Sequence, residues 1–340
     1  MNSSIKNKNI YFLVIFLLLF LLSAFRNGLG TDYSSYAETY TNPTSSNSFS
    51  ILFKLIFIYG LRLISSNYIV FFIVTAFITN YLVIKKIYDE SSIIAASVVI
   101  YIFFFYLSTF NLVRQFLALS LFFYYGLELI QKNKINYYII LLIIIAQIHF
   151  SIYILILFLL FKDEKKSIFF YLTLWSISII FVLFKDFQVA FIVNTLKILA
   201  KIPFAPKGIT IWSEHYSYFL DLGKSNLQLW MKNILLIILF LSYNKFNERK
   251  SILYLNLLFF GIILGNFLNL FSQLGNRIAY YGEFAFIFVI PDYINMYKSN
   301  VTYILLIFIL TYFISLGFYR FYLKDESQAI PNRLRINKVN

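Results

Sequence analysis

The chain has 340 residues, of which 60% are hydrophobic and only 13% are charged, whereas a soluble domain is about 25% charged. Because it contains no cysteine, it has no disulfide, no thiolate metal site and no cysteine nucleophile. Its two histidines are too few for a multi-histidine metal site, and we expect no metal and no other cofactor.

The net charge of +14 indicates what the chain contacts. Cytoplasmic loops of membrane proteins are enriched in lysine and arginine, and anionic lipid attracts the same residues. Nucleic acid is not an expected partner, because no soluble basic domain is available to hold it. The excess of Ile, Asn, Lys, Tyr and Phe fits an AT-rich genome, such as a bacterial one.

Apolar runs recur along the chain and are too long for soluble helices. The clearest are "IYFLVIFLLLFLLSAF" (10–25), "YYIILLIIIAQIHFSIYILILFLLF" (137–161) and "VTYILLIFILTYFISLGFYRFYL" (301–323). A bilayer core about 30 Å thick requires about 20 apolar residues in a helix. The sequence therefore predicts an all-α, multi-pass transmembrane bundle of about 10–12 membrane segments, some short or re-entrant. We expect one integral membrane domain over residues 1–323, with an outer loop at 186–225 and a basic tail at 324–340.

The basic connections between the runs predict the topology. The predicted spans are residues 9–25, 67–84, 91–107, 113–130, 167–184, 226–243, 251–270, 277–297 and 301–322. Segments 49–65 and 137–161 each fit one of two alternatives: a full crossing of the membrane, or two short limbs that enter the membrane and return to the same side. In segment 137–161, the two limbs would meet near His149. Connections rich in lysine and arginine belong in the cytoplasm. The re-entrant alternative places all of them there, but it leaves the basic tail outside, against the rule.

The loop at 186–225 is the one substantial hydrophilic excursion. Its start, "DFQVAFIVNTLKILAK", predicts an amphipathic helix on the outer leaflet, because its apolar and basic residues fall on opposite faces. The apolar face comprises Val189, Ile192, Val193, Leu196 and Leu199, and the basic face comprises Lys197 and Lys201. The segment "IPFAPKG" then breaks the helix through its prolines and glycine.

The first polar cluster follows the first apolar run, in "FRNGLGTDYSSYAETY" (25–40). Arg26 could snorkel to the interface, and Asp32 could cap the next helix. Alternatively they form a site, since Gly28 and Gly30 let the backbone turn tightly and approach a ligand closely. The tyrosines of this segment can stack on sugar rings and donate hydrogen bonds.

Other polar residues begin or interrupt apolar segments. Arg114, in "NLVRQFLALS", fits an interfacial anchor or a guanidinium fork for phosphate oxygens. His149, in "AQIHFS", fits a buried structural histidine, a proton acceptor or a phosphate ligand. Arg277 and Glu283, in "GNRIAYYGEF", begin and enter another span, where Glu283 could pair with an arginine or act as a base. Under the re-entrant topology, these arginines and His149 fall on the outer side with Arg26 and Asp32.

The order of these motifs resembles that of the EpsG family, Wzy-like polymerases of bacterial capsule, exopolysaccharide and O-antigen. The resemblance extends over about residues 10 to 295. It depends most on "FRNGLGTDYSSY" and "LVRQFLALS", followed by "AQIHFS" and "NRIAYYGEF". The loop at 186–225 matches no family motif.

The resemblance implies a fold like that of C-type glycosyltransferases and a reaction at the outer face of the bacterial cytoplasmic membrane. A glycan on undecaprenyl pyrophosphate is transferred to the non-reducing-end hydroxyl of the next lipid-linked repeat unit. Pyrophosphate would be bound by Arg114, Arg277 and Arg26, in that order. The base would be His149, Asp32 or Glu283, unranked. Glycan contacts would be Tyr33, Tyr36, Trp212, His215 and Tyr281.

Partners implied by the resemblance are undecaprenyl-pyrophosphate-linked repeat units, membrane lipid and a chain-length regulator protein. Two other classes fit the same composition. A multi-pass acyltransferase acting on surface polysaccharide would place its key groups on the inner face. A lipid-linked glycan flippase predicts two similar halves with broken helices in matching positions, and no such symmetry is visible in the sequence.

Overall fold

The computed structural model describes residues 2–44, 50–162, 164–201, 213–214, 227–297, 308, 311–312 and 314–315. Over these residues the chain is helical and has no β-strand, which confirms the predicted all-α membrane fold class. Four predicted features lie wholly or mostly outside the described residues: Trp212, His215, the span 301–322 and the tail 324–340.

The chain divides into two compact units, residues 1–152 with 290–340, and residues 153–289. This division does not test the expectation of one integral membrane domain over residues 1–323, which stays a prediction.

The first unit carries helices from α1 to α8. They are α1 (Asn2–Ala24), α2 (Tyr33–Thr41), α3 (Ile51–Phe53, continued as a π-helix over Lys54–Gly60), α4 (Ile69–Glu90), α5 (Ile94–Ile100), α6 (Val113–Leu121), α7 (Leu127–Gln131) and α8 (Ile135–Ala146). Wider π-helical turns also follow α5 and α6, at Tyr101–Phe105 and Phe122–Gly126, and a 3-10 helix at Tyr106–Phe110 leads towards α6.

The second unit carries the helices α9 to α13. They are α9 (Ile168–Leu183), α10 (Lys185–Ala200), α11 (Leu227–Leu241), α12 (Arg249–Phe267) and α13 (Ser272–Glu283). A 3-10 helix (Phe150–Leu160) and α14 (Phe286–Met296) each contain the point where the chain passes from one unit to the other.

Three helices in the described part of the chain are long and apolar enough to cross a membrane. They are α4, the continuous helix Val113–Gln131, and α12. If α9 and α10 together form one bent crossing, the number of spans rises to four. The other apolar helices have 10–17 residues. The helix over Ile51–Gly60 is among these, in keeping with the expectation that segment 49–65 does not cross completely.

Two long apolar segments are interrupted in the structure. Segment 137–161 is not one continuous α-helix, because α8 ends at Ala146 and a 3-10 helix begins at Phe150 after His149; that its two limbs dip in and return stays a prediction. The predicted span 277–297 is not one helix, because a turn at Phe284 and Ala285 separates α13 from α14. The α-helical bonds stop at these points, and both breaks lie beside polar residues singled out by the sequence.

The amphipathic helix predicted after residue 185 is present as α10, which bends by 103° from α9. Two residues of its predicted apolar face, Ile192 and Val193, pack with Leu270 and Phe271. The placement of this helix on the outer leaflet stays a prediction. Phe187, Phe191, Ile198 and Leu199 are the large apolar side chains that α10 leaves exposed, and Leu199 belongs to the predicted apolar face.

Close packing of α12 against α13 depends on glycine. A Cβ added at Gly282 would lie 2.3 Å from the Leu257 carbonyl oxygen and 2.4 Å from the Gly261 Cα. Small residues let helix backbones approach closely in membrane bundles, where dispersion contacts must replace the hydrophobic effect. A Cβ at Gly265 would lie 3.3 Å from the Ala279 Cβ and 3.8 Å from Glu283 Oε1, so the helices approach less closely there than at Gly282.

We expect Gly282→Ala to destabilise the protein by about 1–3 kcal/mol, because the added methyl group has no space against backbone atoms. Thermal unfolding of the purified protein in detergent measures this. Gly265→Ala is the matched control and should change the midpoint much less. Equal midpoints for the two variants would contradict the close packing at Gly282.

Candidate functional site

The loop after α1 is held against the turn that precedes α6. Gly28 and Gly30 have φ values of +76° and +107°, which favour glycine, as the sequence predicted for a tight turn. The close approach at Gly30 is to the chain itself, since a Cβ there would lie 2.8 Å from the Phe110 carbonyl oxygen. The Thr31 amide donates to Asn111 Oδ1 at 2.8 Å. These contacts fix the position of Arg26.

Arg26 is buried, with 5% of its surface exposed. Its guanidinium carbon lies 4.6 Å from the ring centroid of Phe72 and 5.1 Å from that of Phe110. Its only hydrogen bond among the described residues is a long one, 3.5 Å from Nη1 to the Thr109 carbonyl oxygen, and its Nε has no partner. Burial lowers the pKa of Arg26 to about 10, so the side chain still carries its charge at neutral pH.

An aromatic cluster beside Arg26 forms the core of this part of the first unit. It comprises Tyr36, Tyr40, Phe53, Phe57, Ile58, Phe71, Phe72, Val113 and Leu117. Tyr33 stacks on Phe72 from the edge of the cluster, with centroids 4.6 Å apart, and Tyr36 stacks on Phe71 at 5.4 Å. Tyr36 is 6% exposed, which leaves little of its ring for a sugar, whereas Tyr33 is only partly buried.

Arg114 and the break at His149 border the same aromatic cluster. The guanidinium carbon of Arg114 lies 5.7 Å from the ring centroid of Phe53. Ile148, inside the break, packs against the cluster, and Ser50 hydrogen-bonds to the Gln147 carbonyl oxygen. Arg26, Tyr33, Tyr36, Arg114 and the chain leading to His149 are thus brought to one cluster from distant parts of the sequence.

The two base candidates of the first unit have defined neighbours. His149 Nδ1 lies 2.7 Å from the Ser151 hydroxyl oxygen, and the histidine ring stacks on Phe150. Asp32 occupies the N-terminal cap position of α2, but its side chain does not cap the helix. It accepts instead from the Thr31 hydroxyl at 3.3 Å, so the capping alternative for Asp32 is wrong.

The second unit contains a buried ion pair. Lys232 Nζ lies 2.6 Å and 2.8 Å from the two carboxylate oxygens of Glu283, which is 1% exposed. The sequence pattern allowed an arginine partner for Glu283, but the partner is Lys232, which the pattern did not single out. The available signal was the cation itself, because Lys232 interrupts the apolar run of α11 and membrane-depth charges seldom lack a partner.

The remaining predicted residues of the second unit lie on the same helix as Glu283. Arg277 is exposed near the start of α13, whereas Tyr281 is fully buried. Arg26, Asp32, Tyr33, Tyr36, Arg114 and His149 belong to the first unit, and Arg277, Tyr281 and Glu283 belong to the second. Trp212 and His215, in the loop, lie outside the described residues.

A buried amide network in the second unit was also missed. Asn233 and Asn266 exchange side-chain hydrogen bonds of 2.9 Å and 3.0 Å. Trp175 donates to Asn233 at 2.8 Å, Asn266 donates to Ser178 at 2.9 Å, and Gln188 donates to the Asn266 carbonyl at 3.0 Å. Single polar residues within apolar runs give a weak sequence signal, because their partners are distant along the chain.

Comparison with known proteins identifies the family of the chain. The model of the EpsG family matches residues 9–333, nearly the whole chain. No curated protein and no solved structure matches.

Removing one residue of the buried Lys232–Glu283 pair should destabilise the protein much more than removing one residue of an exposed ion pair. We expect Lys232→Met to destabilise the protein by about 3–5 kcal/mol, because it leaves the Glu283 charge buried without its partner. Lys232→Met combined with Glu283→Met should recover most of the loss, as measured by thermal unfolding in detergent. Lys132→Met is the control, since its pair with Glu128 is exposed and worth about 0–1 kcal/mol. A single-variant loss no larger than the control's would contradict a coupled pair.

Proposed function

Because the chain belongs to the EpsG family of Wzy-like polysaccharide polymerases, we propose a specific reaction for it. It transfers a growing glycan from undecaprenyl pyrophosphate onto the next lipid-linked repeat unit, at the outer face of the bacterial cytoplasmic membrane. A hydroxyl oxygen of the acceptor attacks the anomeric carbon of the donor. The bond from that carbon to the pyrophosphate breaks, its electron pair leaves with the pyrophosphate, and a base takes the hydroxyl proton. A single displacement inverts the anomeric carbon.

The observation that carries this proposal is the buried guanidinium of Arg26, which forms no salt bridge with the described residues and lies beside the aromatic cluster that Arg114 also borders. Negative charge grows on the leaving pyrophosphate in the transition state, and cations fixed in advance stabilise it most effectively. Arginine suits this role because it stays protonated and offers a planar fork of donors. Burial favours Arg26 as the first of the three proposed arginines, ahead of Arg114 and Arg277.

The base is proposed among the acids and the histidine that the motifs contain. Asp32 belongs to the loop that carries Arg26, and its side chain is not engaged in helix capping. His149 is available if Nδ1 carries the proton and donates to Ser151, since Nε2 then accepts the substrate proton. Glu283 would first have to release Lys232, which supports a structural role for it.

The glycan and the partners complete the proposal. Tyr33 is partly exposed at the edge of the aromatic cluster, which supports a contact with a sugar ring. Tyr36, Tyr281, Trp212 and His215 remain proposed contacts without further support. The substrates are undecaprenyl-pyrophosphate-linked repeat units in membrane lipid, and a chain-length regulator is a proposed protein partner.

Arg114→Lys tests the pyrophosphate role while keeping the charge. We expect polymerisation to slow by about tenfold or more, because lysine cannot make the bidentate fork. Gel analysis of the surface glycan in cells carrying the variant in place of the wild type should show shorter chains. Arg62→Lys is the matched control, since Arg62 is exposed, and full-length polymer from Arg114→Lys would argue against the role.

Replacing the candidate bases one at a time separates them. We expect His149→Gln or Asp32→Asn to slow consumption of lipid-linked repeat units by about 100-fold or more, as is usual for loss of a general base. Glu283→Gln should mainly lower thermal stability. The measurement is the initial rate with purified, folded protein. Near-normal rates for both His149→Gln and Asp32→Asn would remove both residues from the mechanism.

A further inference from the structure

Helix α10 leaves α9 at an angle of 103°. Helix α9 contains no charged residue, and Phe169, Ile180 and Leu183 are among its exposed side chains. In a membrane protein, an uncharged helix with such an exposed apolar surface is embedded in lipid. Because membrane helices tilt by only about 20° on average, a helix that leaves one of them at nearly a right angle runs close to the membrane plane.

One face of α10 is fixed to protein. Gln188 donates its side-chain amide to the carbonyl oxygens of Asn266 and Phe267, at 3.0 Å and 2.6 Å. Ile192 and Val193 lie on the same side of the helix and are buried. These contacts hold α10 against the end of α12 and determine which of its residues point away from the protein.

A second face carries exposed apolar residues, which we call the apolar stripe: Phe187, Phe191 and Ile198. They recur at i, i+4 and i+11, so they share one face of the helix. Their exposed fractions are 56%, 51% and 66%, and none of them belongs to the apolar face that the sequence predicted. Phe181 of α9 contacts the rings of Phe187 and Phe191 edge-on, with centroids 5.1 Å and 5.3 Å away, which holds the stripe in shape.

A third face is polar and basic. Asn194, Lys197 and Lys201 recur at i, i+3 and i+7, and all three are exposed. This face borders the apolar stripe on the side away from the protein contact. Lysine can extend its apolar stem along such a border and place its ammonium group among lipid headgroups, where anionic lipid attracts it. A phenylalanine-rich face beside a lysine face is typical of a helix that lies in a membrane interface.

We propose that the apolar stripe contacts the acyl chains of one membrane leaflet, with Lys197 and Lys201 at the lipid phosphates. The partner is bilayer lipid, because α10 follows a lipid-embedded helix at nearly a right angle and its lysines match anionic headgroups in charge. Lipid contact is thereby assigned to residues other than the predicted apolar face, of which Ile192 and Val193 pack on protein. The inference does not depend on the proposed reaction.

Spin labels test the assignment, because a chain without cysteine accepts one label at one introduced cysteine. The full-length protein is placed in vesicles of phosphatidylethanolamine and phosphatidylglycerol. Electron paramagnetic resonance then measures how strongly oxygen, which dissolves in acyl chains, and a water-soluble nickel chelate relax each label. We expect oxygen to relax labels at Phe191→Cys and Ile198→Cys several-fold more strongly than nickel does.

Two control positions on α10 complete the experiment. A label at Lys197→Cys should be relaxed more strongly by nickel, and a label at Ile192→Cys should be relaxed weakly by both reagents. Thermal unfolding checks that each labelled variant is folded. Ile198→Cys removes no aromatic contact, so it carries the test if Phe191→Cys does not fold.

Two results would overturn the proposal. Stronger relaxation by nickel than by oxygen at Phe191→Cys and Ile198→Cys would place the stripe in water. Weak relaxation by both reagents would mean that protein covers the stripe. Line broadening that disappears on dilution with unlabelled protein would then identify a second copy of this chain as the cover, and a lack of broadening would identify another segment of the same chain.

Discussion

The burial of a positive charge at Arg26 is the constraint on which the first unit depends. A guanidinium removed from water must be compensated, and here the compensation comes from two aromatic faces and one long hydrogen bond. The glycine turn brings Arg26 to these rings, and Asn111 holds the turn in place. The aromatic cluster and the loop are parts of one arrangement around that charge.

The second unit treats its buried cation differently. Lys232 contacts both carboxylate oxygens of Glu283, so the two opposite charges neutralise each other inside the protein. Glycine contacts between α12 and α13 hold the helix that carries Glu283 at a fixed depth and rotation. This contrast bears on function. Lys232 is already paired with a carboxylate of the protein and is poorly suited to bind an anionic ligand, whereas Arg26 keeps a hydrogen-bond donor without a partner. For this reason Arg26 leads the proposed pyrophosphate ligands.

Irregular helices accompany the candidate residues of the first unit. A π-helical turn follows α5, a second follows α6, and His149 lies where α8 gives way to a 3-10 helix. Such turns often mark functional sites, because they redirect side chains that a regular helix would aim elsewhere. Ile148, which lies inside the break beside His149, packs on the aromatic cluster, so this irregular backbone is partly covered by protein.

The membrane class, the helical fold and the break in segment 137–161 followed from the amino-acid order alone. Long apolar runs must form helices in lipid, and a polar residue within a run that is too long for one span marks an interruption. The motifs also identified Arg26, Arg114 and His149 as residues of interest. The partner of Glu283 and the burial of Tyr36 could not be read in the same way. Each depends on which helix faces which, and packing between residues far apart in the chain decides that.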